Sequence, residues 1–245
     1  MLEIESKRPI LRTKSIWFSD YPFDIKNCSH VDFHACKNDI DLEGFTKQEF
    51  TTLIIDLTEN LDQIWRNMSK SSCRYAIKRA ELDGITVSLN KSYVEFLEIN
   101  NQFRKNKGIV PYPISIEFMK KYCALFTAEY EGENIGGQLY LKDMRDIRWL
   151  IGASKRLEAN KEKATIIGNA NRLLIWEATK YAKNQGIKEF DLGGYYTGKE
   201  PDIQKENINN FKKSFGGKLV TQYIYHKDYS KVYKSVNKIY NIIKK

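Results

Sequence analysis

The chain has 245 residues, of which 42% are hydrophobic and 29% charged, and its formal net charge at pH 7 is +9. This is enough apolar material to bury a core, so the composition excludes an intrinsically disordered chain, and the positive charge favours an anionic partner. The charge is unevenly distributed. Residues 207–245 carry nine lysines against a single acid, Asp228, so +8 of the +9 lies there.

Two further properties bear on the compartment. No apolar run approaches the ~18 residues that cross a membrane, the mean hydropathy is −0.54, and residues 1–9 lack the apolar core of a signal peptide. The cysteines form no CxxC pair; they are Cys28, Cys36, Cys73 and Cys123. We therefore predict a cytoplasmic protein with free thiols.

The first half of the chain alternates strands and helices. Short strand candidates lie at residues 15–18 and 28–35, and residues 52–57 have the pattern of a buried strand. A helix capped by Thr58 or Asn60 is predicted to run to about Leu82 and to be stopped by Gly84. A strand at 85–89 and helices at 93–107 and 116–122 follow, with Pro111 and Pro113 marking a turn between the two helices.

The second half predicts an antiparallel meander followed by a crossover. Its predicted strands lie at residues 123–131, 134–142, 146–154, 188–192 and 218–225, and its helices at 165–183, 207–215 and 228–245. The strands that flank the long helix should be parallel. The fold class is therefore α+β, with a mixed, mostly antiparallel central sheet flanked by helices. The order of elements resembles the GCN5-related N-acyltransferase (GNAT) fold.

Histidine and cysteine side chains alternate with apolar ones near the N-terminus. The polar positions are Cys28, His30, Asp32, His34 and Cys36. These are zinc-ligand types, but on a strand they would extend over roughly 26 Å, too far for one ion. We therefore predict an ordinary strand with one polar face and no metal site.

Three ordered segments carry a more specific signal. They are residues 54–87, which include Trp65, Arg74 and Lys78; residues 174–194, which end in Phe-Asp-Leu-Gly-Gly; and residues 208–217, Ile-Asn-Asn-Phe-Lys-Lys-Ser-Phe-Gly-Gly. Together they resemble the FemABX family, the aminoacyl-tRNA-dependent transferases that build peptidoglycan interpeptide bridges. Family members usually carry two acyltransferase units, whereas this chain has room for one complete unit.

The resemblance implies a division of the chain. Residues 1–83 would be the remnant of a first acyltransferase unit, residues 84–226 the GNAT-like catalytic domain, and residues 227–245 a basic amphipathic helix. The family's role in cell-wall biogenesis implies an acceptor related to peptidoglycan precursors.

A run of cations at four-residue spacing lies in the first segment. Arg66, Lys70, Arg74 and Lys78 should form a ridge on one helix, which can clamp a diphosphate or simply face solvent. Arg74 and Lys78 fall within the family motif, so they are the predicted phosphate-binding pair.

Two residues are predicted to be catalytic. Lys212 would stabilise the oxyanion of acyl transfer, as the resemblance implies for the lysine of its motif; otherwise it is one more solvated lysine. Asp191 ends a predicted parallel strand before two glycines, where ligands collect, and would orient the amine or accept its proton, unless it only fixes the turn. Glu129 or a water is an alternative base.

Four aromatic residues are candidates for substrate contact. Tyr195 and Tyr196 follow the glycines, Phe211 precedes the motif lysine, and Trp149 lies mid-strand, where a place in the core is the other interpretation.

The sequence leads to three functional hypotheses. The first is an N-acyltransferase that moves an aminoacyl or acyl group onto an amine of a cell-envelope precursor or nucleotide-linked amino sugar. No tightly bound cofactor is expected, and the acyl donor would be aminoacyl-tRNA or acyl-CoA. The acceptor would be an anionic nucleotide- or lipid-diphosphate-linked amino sugar, and tRNA and the inner membrane surface are possible contacts of the basic tail.

The second hypothesis changes the donor to acyl-CoA or acyl-carrier protein, in surface polysaccharide biosynthesis. The stretch before the long helix contains Gly168 as its single glycine, which disfavours the usual CoA pyrophosphate loop. The third is a non-catalytic RNA- or membrane-binding module that uses the lysine-rich tail.

Overall fold

The computed structural model describes residues 1–7, 11–110 and 113–235, and the chain divides into two compact units. Unit 1 consists of residues 1–52 and 219–245, and unit 2 is the continuous stretch Leu53–Lys218. These limits differ from the predicted boundaries after residues 83 and 226. The interpretation of residues 1–83 as a remnant stays a prediction.

Unit 1 is built on a mixed sheet. Its strands are β1 (Leu2–Lys7), β2 (Arg12–Trp17), β3 (His30–Cys36) and parts of β4 (Thr46–Asp56) and β10 (Lys218–Asp228). Their order is β1-β2-β3-β10-β4. β1 and β2 are antiparallel, β2 and β3 parallel, and β3 and β10 antiparallel. The small core of this unit consists of Ile16, Val31, Phe33, Cys36 and Tyr225.

The polar face of β3 is shorter than the sequence predicts. Ala35 adopts a positive φ of 58°, and the register of β3 with β10 shifts at this point. A bulge of this kind reverses the side-chain alternation, and Cys36 is fully buried in the core rather than on the polar face. Burial raises the pKa of its thiol to about 12.

Unit 2 contains a mixed set of paired strands with helices packed against them. Its strands follow the order β4-β9-β8-β7-β6-β5. The new strands are β5 (Thr86–Leu89), β6 (Cys123–Tyr130), β7 (Glu133–Lys142), β8 (Asp146–Ser154) and β9 (Glu189–Gly194). The helices are α1 (Leu61–Asn67), α2 (Tyr75–Leu82), α3 (Tyr93–Asn106), α4 (Ile116–Tyr122), α5 (Lys161–Asn184) and α6 (Ile203–Lys213).

The strand directions agree with the predicted topology. β5 to β8 pair antiparallel with their neighbours, and β8 and β9, which flank α5, are parallel. Nearly continuous buried strands joined by tight turns produce the meander, and the long apolar stripe of α5 supplies the crossover. The predicted α+β class with a mixed, mostly antiparallel sheet is confirmed.

The predicted single helix from residue 58 or 60 to 82 is wrong. Met68 and Ser69 are extended between α1 and a π-helical turn, Lys70–Arg74, that leads into α2. The Ser69 side chain accepts from the Ser72 amide, and the Ser69 amide donates to the Ser214 carbonyl at 2.9 Å. Serine side chains that bond local backbone groups compete with helix formation. The four-residue spacing therefore does not place all four cations on one ridge.

Two glycines after α6 allow a close approach between segments of unit 2. Gly216 has φ of +78°, and a Cβ there would lie 2.6 Å from the Asn67 carbonyl carbon. A Cβ on Gly217 would lie 2.7 Å from the Ile54 carbonyl oxygen. The Gly-Gly pair of the third motif is thus needed for backbone packing against the end of α1 and against β4.

The ends of several predictions fall at the limits of what is described. β10 extends to Asp228, so the predicted tail helix cannot begin at 227, and residues 231–235 are helical. The remainder of that helix lies outside the described residues, as does part of the predicted proline turn. Among the helices that the structure describes, none has the length and apolar character needed to span a bilayer.

Candidate active site

A buried ion pair joins β9 to β8, and Asp191 lies within β9 rather than at its end as predicted. Asp191 and Arg148 are register partners on the parallel strands β9 and β8, and the guanidinium Nη1 contacts Asp191 Oδ2. The other carboxylate oxygen accepts from the Gly193 amide at 2.7 Å. Gly193 has φ of +81°, a conformation that glycine adopts without strain. Both oxygens of Asp191 are therefore engaged in holding the turn after β9.

Lys212, on α6, lies against this turn and is only 7% exposed. Its Nζ donates to the Gly194 carbonyl at 2.6 Å and lies 5.7 Å from the centroid of the Trp149 ring. The pKa of Lys212 is lowered to about 8, because burial outweighs the opposing attraction of Asp191 and Arg148 adds to the lowering. Lys212, Asp191 and Arg148 are called the Lys212 cluster below.

A cavity of about 380 Å³ lies beside Trp149 in unit 2, a size typical of small-molecule sites. Trp149 and Phe211 line it with their rings 6.0 Å apart between centroids. The indole Nε1 of Trp149 is buried and has no hydrogen-bond partner within the described ranges. The side chain that touches Lys212 thus also borders the cavity, and it offers a free donor.

Positive charge surrounds this cavity. Arg156 lines it, and its guanidinium passes over Gly168, since a Cβ on that residue would lie 3.7 Å from Arg156 Cζ. The Cζ of Arg172 lies 4.9 Å from the centroid of the Phe211 ring, and its Nε is buried with no partner in the described part of the chain. Burial, together with the charge of Arg156, lowers the pKa of Arg172. Cations with unused donors of this kind can bind a phosphate or carboxylate.

The start of α5 has a different character. Asn160 caps the helix by accepting from the Lys163 amide, and Gly168 lies inside the helix rather than before it. Glu133 pairs with Lys155 and with Lys163 at 2.7 and 2.5 Å, and these two bonds lower its pKa to about 2. Glu133 therefore offsets one of the two positive charges that Lys155 and Lys163 bring to this helix start.

The structure distributes the other predicted site residues as follows. Tyr196 is held by Asn209, which accepts from its amide at 2.9 Å and donates to its carbonyl at 2.8 Å, and its hydroxyl bonds Glu200. Tyr195 is half-buried against the core. Of the predicted phosphate-binding pair, Arg74 is half-buried with an unpartnered Nε, and Lys78 is exposed on α2.

Sequence reasoning missed residues that shape this site. Arg148 has no motif around it and enters only through the β8–β9 register, while Arg156 and Arg172 lie outside the three motifs. Asn209 could have been found, because it falls inside the third motif beside Phe211. Glu129, the alternative base, is exposed near the end of β6.

Unit 1 contains a separate group of ligand-type side chains. His30 and Asp32 on β3 and His226 on β10 each bring one ligand atom within 4.8 Å of the others. The alternating pattern in the sequence covers residues 28–36 and does not include His226.

The fold is similar to that of several solved structures, among them FemX, which agrees with the FemABX resemblance of the sequence. Among solved structures, FemX overlaps 91% of this chain and 83% of its own with a TM-score of 0.63 at 14% identity. L-PGS from Bacillus licheniformis overlaps 95% of this chain and 82% of its own, with a TM-score of 0.55 at 14% identity.

A further structure has a similar overlap. The C-terminal domain (DUF2156) of a putative lysylphosphatidylglycerol synthetase from Agrobacterium fabrum has a TM-score of 0.55 at 10% identity, covering 93% of this chain and 80% of its own. No family model and no curated protein sequence matches the chain. At these identities the likeness establishes the fold.

Proposed function

We propose that the chain is an N-acyltransferase that moves an aminoacyl or acyl group onto an amine of an anionic acceptor. The observation that carries the proposal is Lys212, a buried cation beside a substrate-sized cavity. A lysine is seldom fully buried without a charge to neutralise or a reaction to serve. The fold shared with FemX and L-PGS supports the same class of reaction.

The chemistry of acyl transfer accounts for the cation. The acceptor amine attacks the acyl carbon, and the carbonyl oxygen becomes negatively charged in the tetrahedral intermediate. The ammonium of Lys212 stabilises that oxyanion, which is worth on the order of 3 kcal/mol for a fixed donor in a dry site. When the intermediate collapses, the C–N bond remains, the bond to the donor breaks, and the leaving oxygen or sulfur takes a proton.

The contacts of Asp191 support a positioning role for it in the proposed reaction. Its two oxygens hold Arg148 and the Gly193 amide, and the next carbonyl, that of Gly194, binds Lys212. Asp191 therefore fixes the turn that places the ammonium. The proton released by the amine then passes to water.

The arginines favour an anionic acceptor. Arg156 and Arg172 lie at or beside the cavity, and Arg74 adds a half-buried guanidinium with an unused Nε. Forked donors of this kind suit a diphosphate. We therefore propose a nucleotide- or lipid-diphosphate-linked amino sugar of a cell-envelope precursor, acted on in the cytoplasm.

Aminoacyl-tRNA is the proposed donor. The start of α5, where acyl-CoA enzymes of this fold bind pyrophosphate, has no glycine-rich loop, because Gly168 lies inside the helix, and Lys155 and Lys163 nearby pair with Glu133. The lysine-rich tail would add attraction for a polyanion, and binding to tRNA should then weaken as salt rises.

The test is a transfer assay with matched variants. Purified protein is incubated with tRNA charged with radiolabelled amino acids, or with labelled acetyl-CoA, and with nucleotide- and lipid-linked amino sugars. We expect labelled acceptor from aminoacyl-tRNA, lost in Lys212→Met and retained in Lys213→Met, whose lysine is exposed.

Each other outcome has a meaning. Transfer from acetyl-CoA but not from aminoacyl-tRNA would show that acyl-CoA is the donor. Equal transfer by wild type and Lys212→Met would refute the role of Lys212. No transfer at all, with RNA or vesicle binding abolished by deleting residues 236–245, would favour the non-catalytic module.

A further inference from the structure

Four charged side chains form a square on one face of unit 1. His30 on β3 is the register partner of Asp228 on β10, and Asp32 is the partner of His226. Residues two apart on a strand point to the same face, so each histidine has an aspartate opposite it and another beside it. These four residues are called the His/Asp square.

The four side chains are bonded to one another. His30 Nδ1 lies 2.6 Å from Asp228 Oδ1, and its Nε2 lies 3.0 Å from Asp32 Oδ1. The same Asp32 oxygen bonds Nδ1 of His226. The imidazole planes of His30 and His226 are inclined by only 17°. Asp32 is therefore the centre on which both histidines converge.

This convergence fits the coordination of a small divalent ion. Zinc bonds to nitrogen and oxygen are about 2.1 Å long, so tetrahedral ligand atoms lie about 3.4 Å apart. The ligand atoms of His30, Asp32 and His226 lie within 4.8 Å of one another, and the His30–Asp32 pair is at 3.0 Å. The His226 side chain is 38% exposed. A small rotation of this side chain would bring the three ligand atoms to the spacing that one ion requires.

The surroundings of His30 have the form of a metal-ligand support. Metal-bound histidines usually give their second ring N–H to a carboxylate, which fixes the ring and raises its basicity. Asp228 occupies that position on Nδ1 and leaves Nε2 for the ion. The Tyr233 ring stacks on His30 with centroids 4.5 Å apart and planes inclined by 13°, and it holds the imidazole from one side.

The charges also balance. Two neutral imidazoles and two carboxylates carry −2, which one divalent ion neutralises. Two imidazole nitrogens and one carboxylate are ligands that suit zinc and neighbouring first-row metals. We propose that His30, Asp32 and His226 bind a divalent transition-metal ion, Zn²⁺ in the first instance, with Asp228 as the positioning residue for His30.

The experiment uses the full chain after treatment with chelator and dialysis. Zn²⁺ is titrated in by calorimetry, and Co²⁺ is titrated in parallel because its visible spectrum reports ligand type and geometry. We expect one equivalent to bind and the melting temperature to rise with metal concentration. The Co²⁺ spectrum should show nitrogen and oxygen ligands.

Variants locate the ion. Asp32→Asn and His226→Ala should each weaken Zn²⁺ binding at least tenfold, and Asp228→Asn should weaken it by about 10- to 100-fold, as outer carboxylates do elsewhere. The matched control is His34→Ala, since His34 lies on the same strand and stacks on Trp17 at 4.3 Å between centroids. A second control is Cys28→Ser, which removes the half-exposed thiol beside His30. Unchanged Zn²⁺ binding in this variant would exclude the thiol as the ligand.

Two results would overturn the proposal. One is a wild-type chain that binds neither Zn²⁺ nor Co²⁺, which would leave the square as two histidines hydrogen-bonded to aspartates. The other is binding that Asp32→Asn leaves unchanged while circular dichroism shows the variant to be folded. Lys212→Met should bind Zn²⁺ normally, so failure of the proposed acyltransferase would leave this test intact.

Discussion

The Lys212 cluster and the His/Asp square both gather charged side chains on a sheet, but they balance charge differently. The first sets two cations, Lys212 and Arg148, around the carboxylate of Asp191, with side chains almost wholly removed from water. The second alternates two histidines with two aspartates, and its carboxylates are 27% and 29% exposed. A surplus of buried positive charge is costly, and a forming oxyanion would relieve that cost. The His/Asp square, whose charges are partly in contact with water, has no such need for an added anion.

The largest expected effect comes from breaking the buried pair. Arg148→Met leaves Asp191 buried without its partner, so the free energy of unfolding should fall by about 3–5 kcal/mol. Urea unfolding of the variant and the wild type measures this difference in the free energy of unfolding. In the double variant with Asp191→Asn part of the loss should return, because the stranded charge is gone. An additive double variant would show that the two side chains do not interact.

Removing the surplus cation should affect chemistry more than folding. Lys212→Met should lower the rate of transfer by about 10²- to 10³-fold, because the oxyanion loses its fixed donor. The measurement is single-turnover transfer, with Lys213→Met as the control. A loss confined to KM would instead assign Lys212 to binding.

Packing in the same unit can be separated from charge. Gly217→Ala places a Cβ against the Ile54 carbonyl and should cost about 1–3 kcal/mol by overpacking. Gly194→Ala is the matched control, because a Cβ there meets no atom within 4 Å. The measurement is the thermal unfolding of both variants. Equal stability of Gly217→Ala and Gly194→Ala would mean that the chain relaxes around the added methyl group at position 217.

The pH profile tests whether Lys212 acts as a cation. With its pKa lowered to about 8, the side chain is charged below that pH and loses its proton above it. Transfer should therefore be about tenfold slower at pH 9 than at pH 7, since only about one tenth of the lysine stays protonated. Lys212→Arg keeps its charge over this range, so its remaining activity should not show the decline.

The smallest effect is expected in the square. Asp228→Asn keeps an oxygen that accepts from His30 Nδ1, and the site is partly in water, so the metal-free protein should lose about 1 kcal/mol or less. Urea unfolding in chelator measures this against Arg148→Met. A loss as large as that of Arg148→Met would remove the distinction drawn between the two regions.

Much of the fold could be predicted because its signals are local. The meander of β6, β7 and β8 follows from strand-length segments separated by short turns, and α5 follows from its apolar stripe. The break after α1 could not be foreseen in the same way, since Ser69 stops the helix partly through a bond to Ser214, far away in the chain. The bulge at Ala35 likewise depends on pairing with β10.

The residues of the candidate sites also differ in whether local sequence signals indicate them. Asp191 and Lys212 lie 21 residues apart in two recognisable motifs, so the sequence indicated both before the turn after β9 was known. Arg148 required the register of β8 and β9. The His/Asp square joins positions 198 residues apart, as in the His30–Asp228 bond, and no pattern within residues 28–36 points to β10.

The order of the two units along the chain has a consequence for biosynthesis. All of unit 2 lies between residues 53 and 218, whereas unit 1 takes strands from both sides of it. Since chains emerge from the ribosome N-terminus first and domains fold as units, unit 2 can fold while β3 still lacks its partner strand β10. The exposed edge of β3 must wait for about 190 further residues to be translated, and during that interval it is open to pairing with other chains.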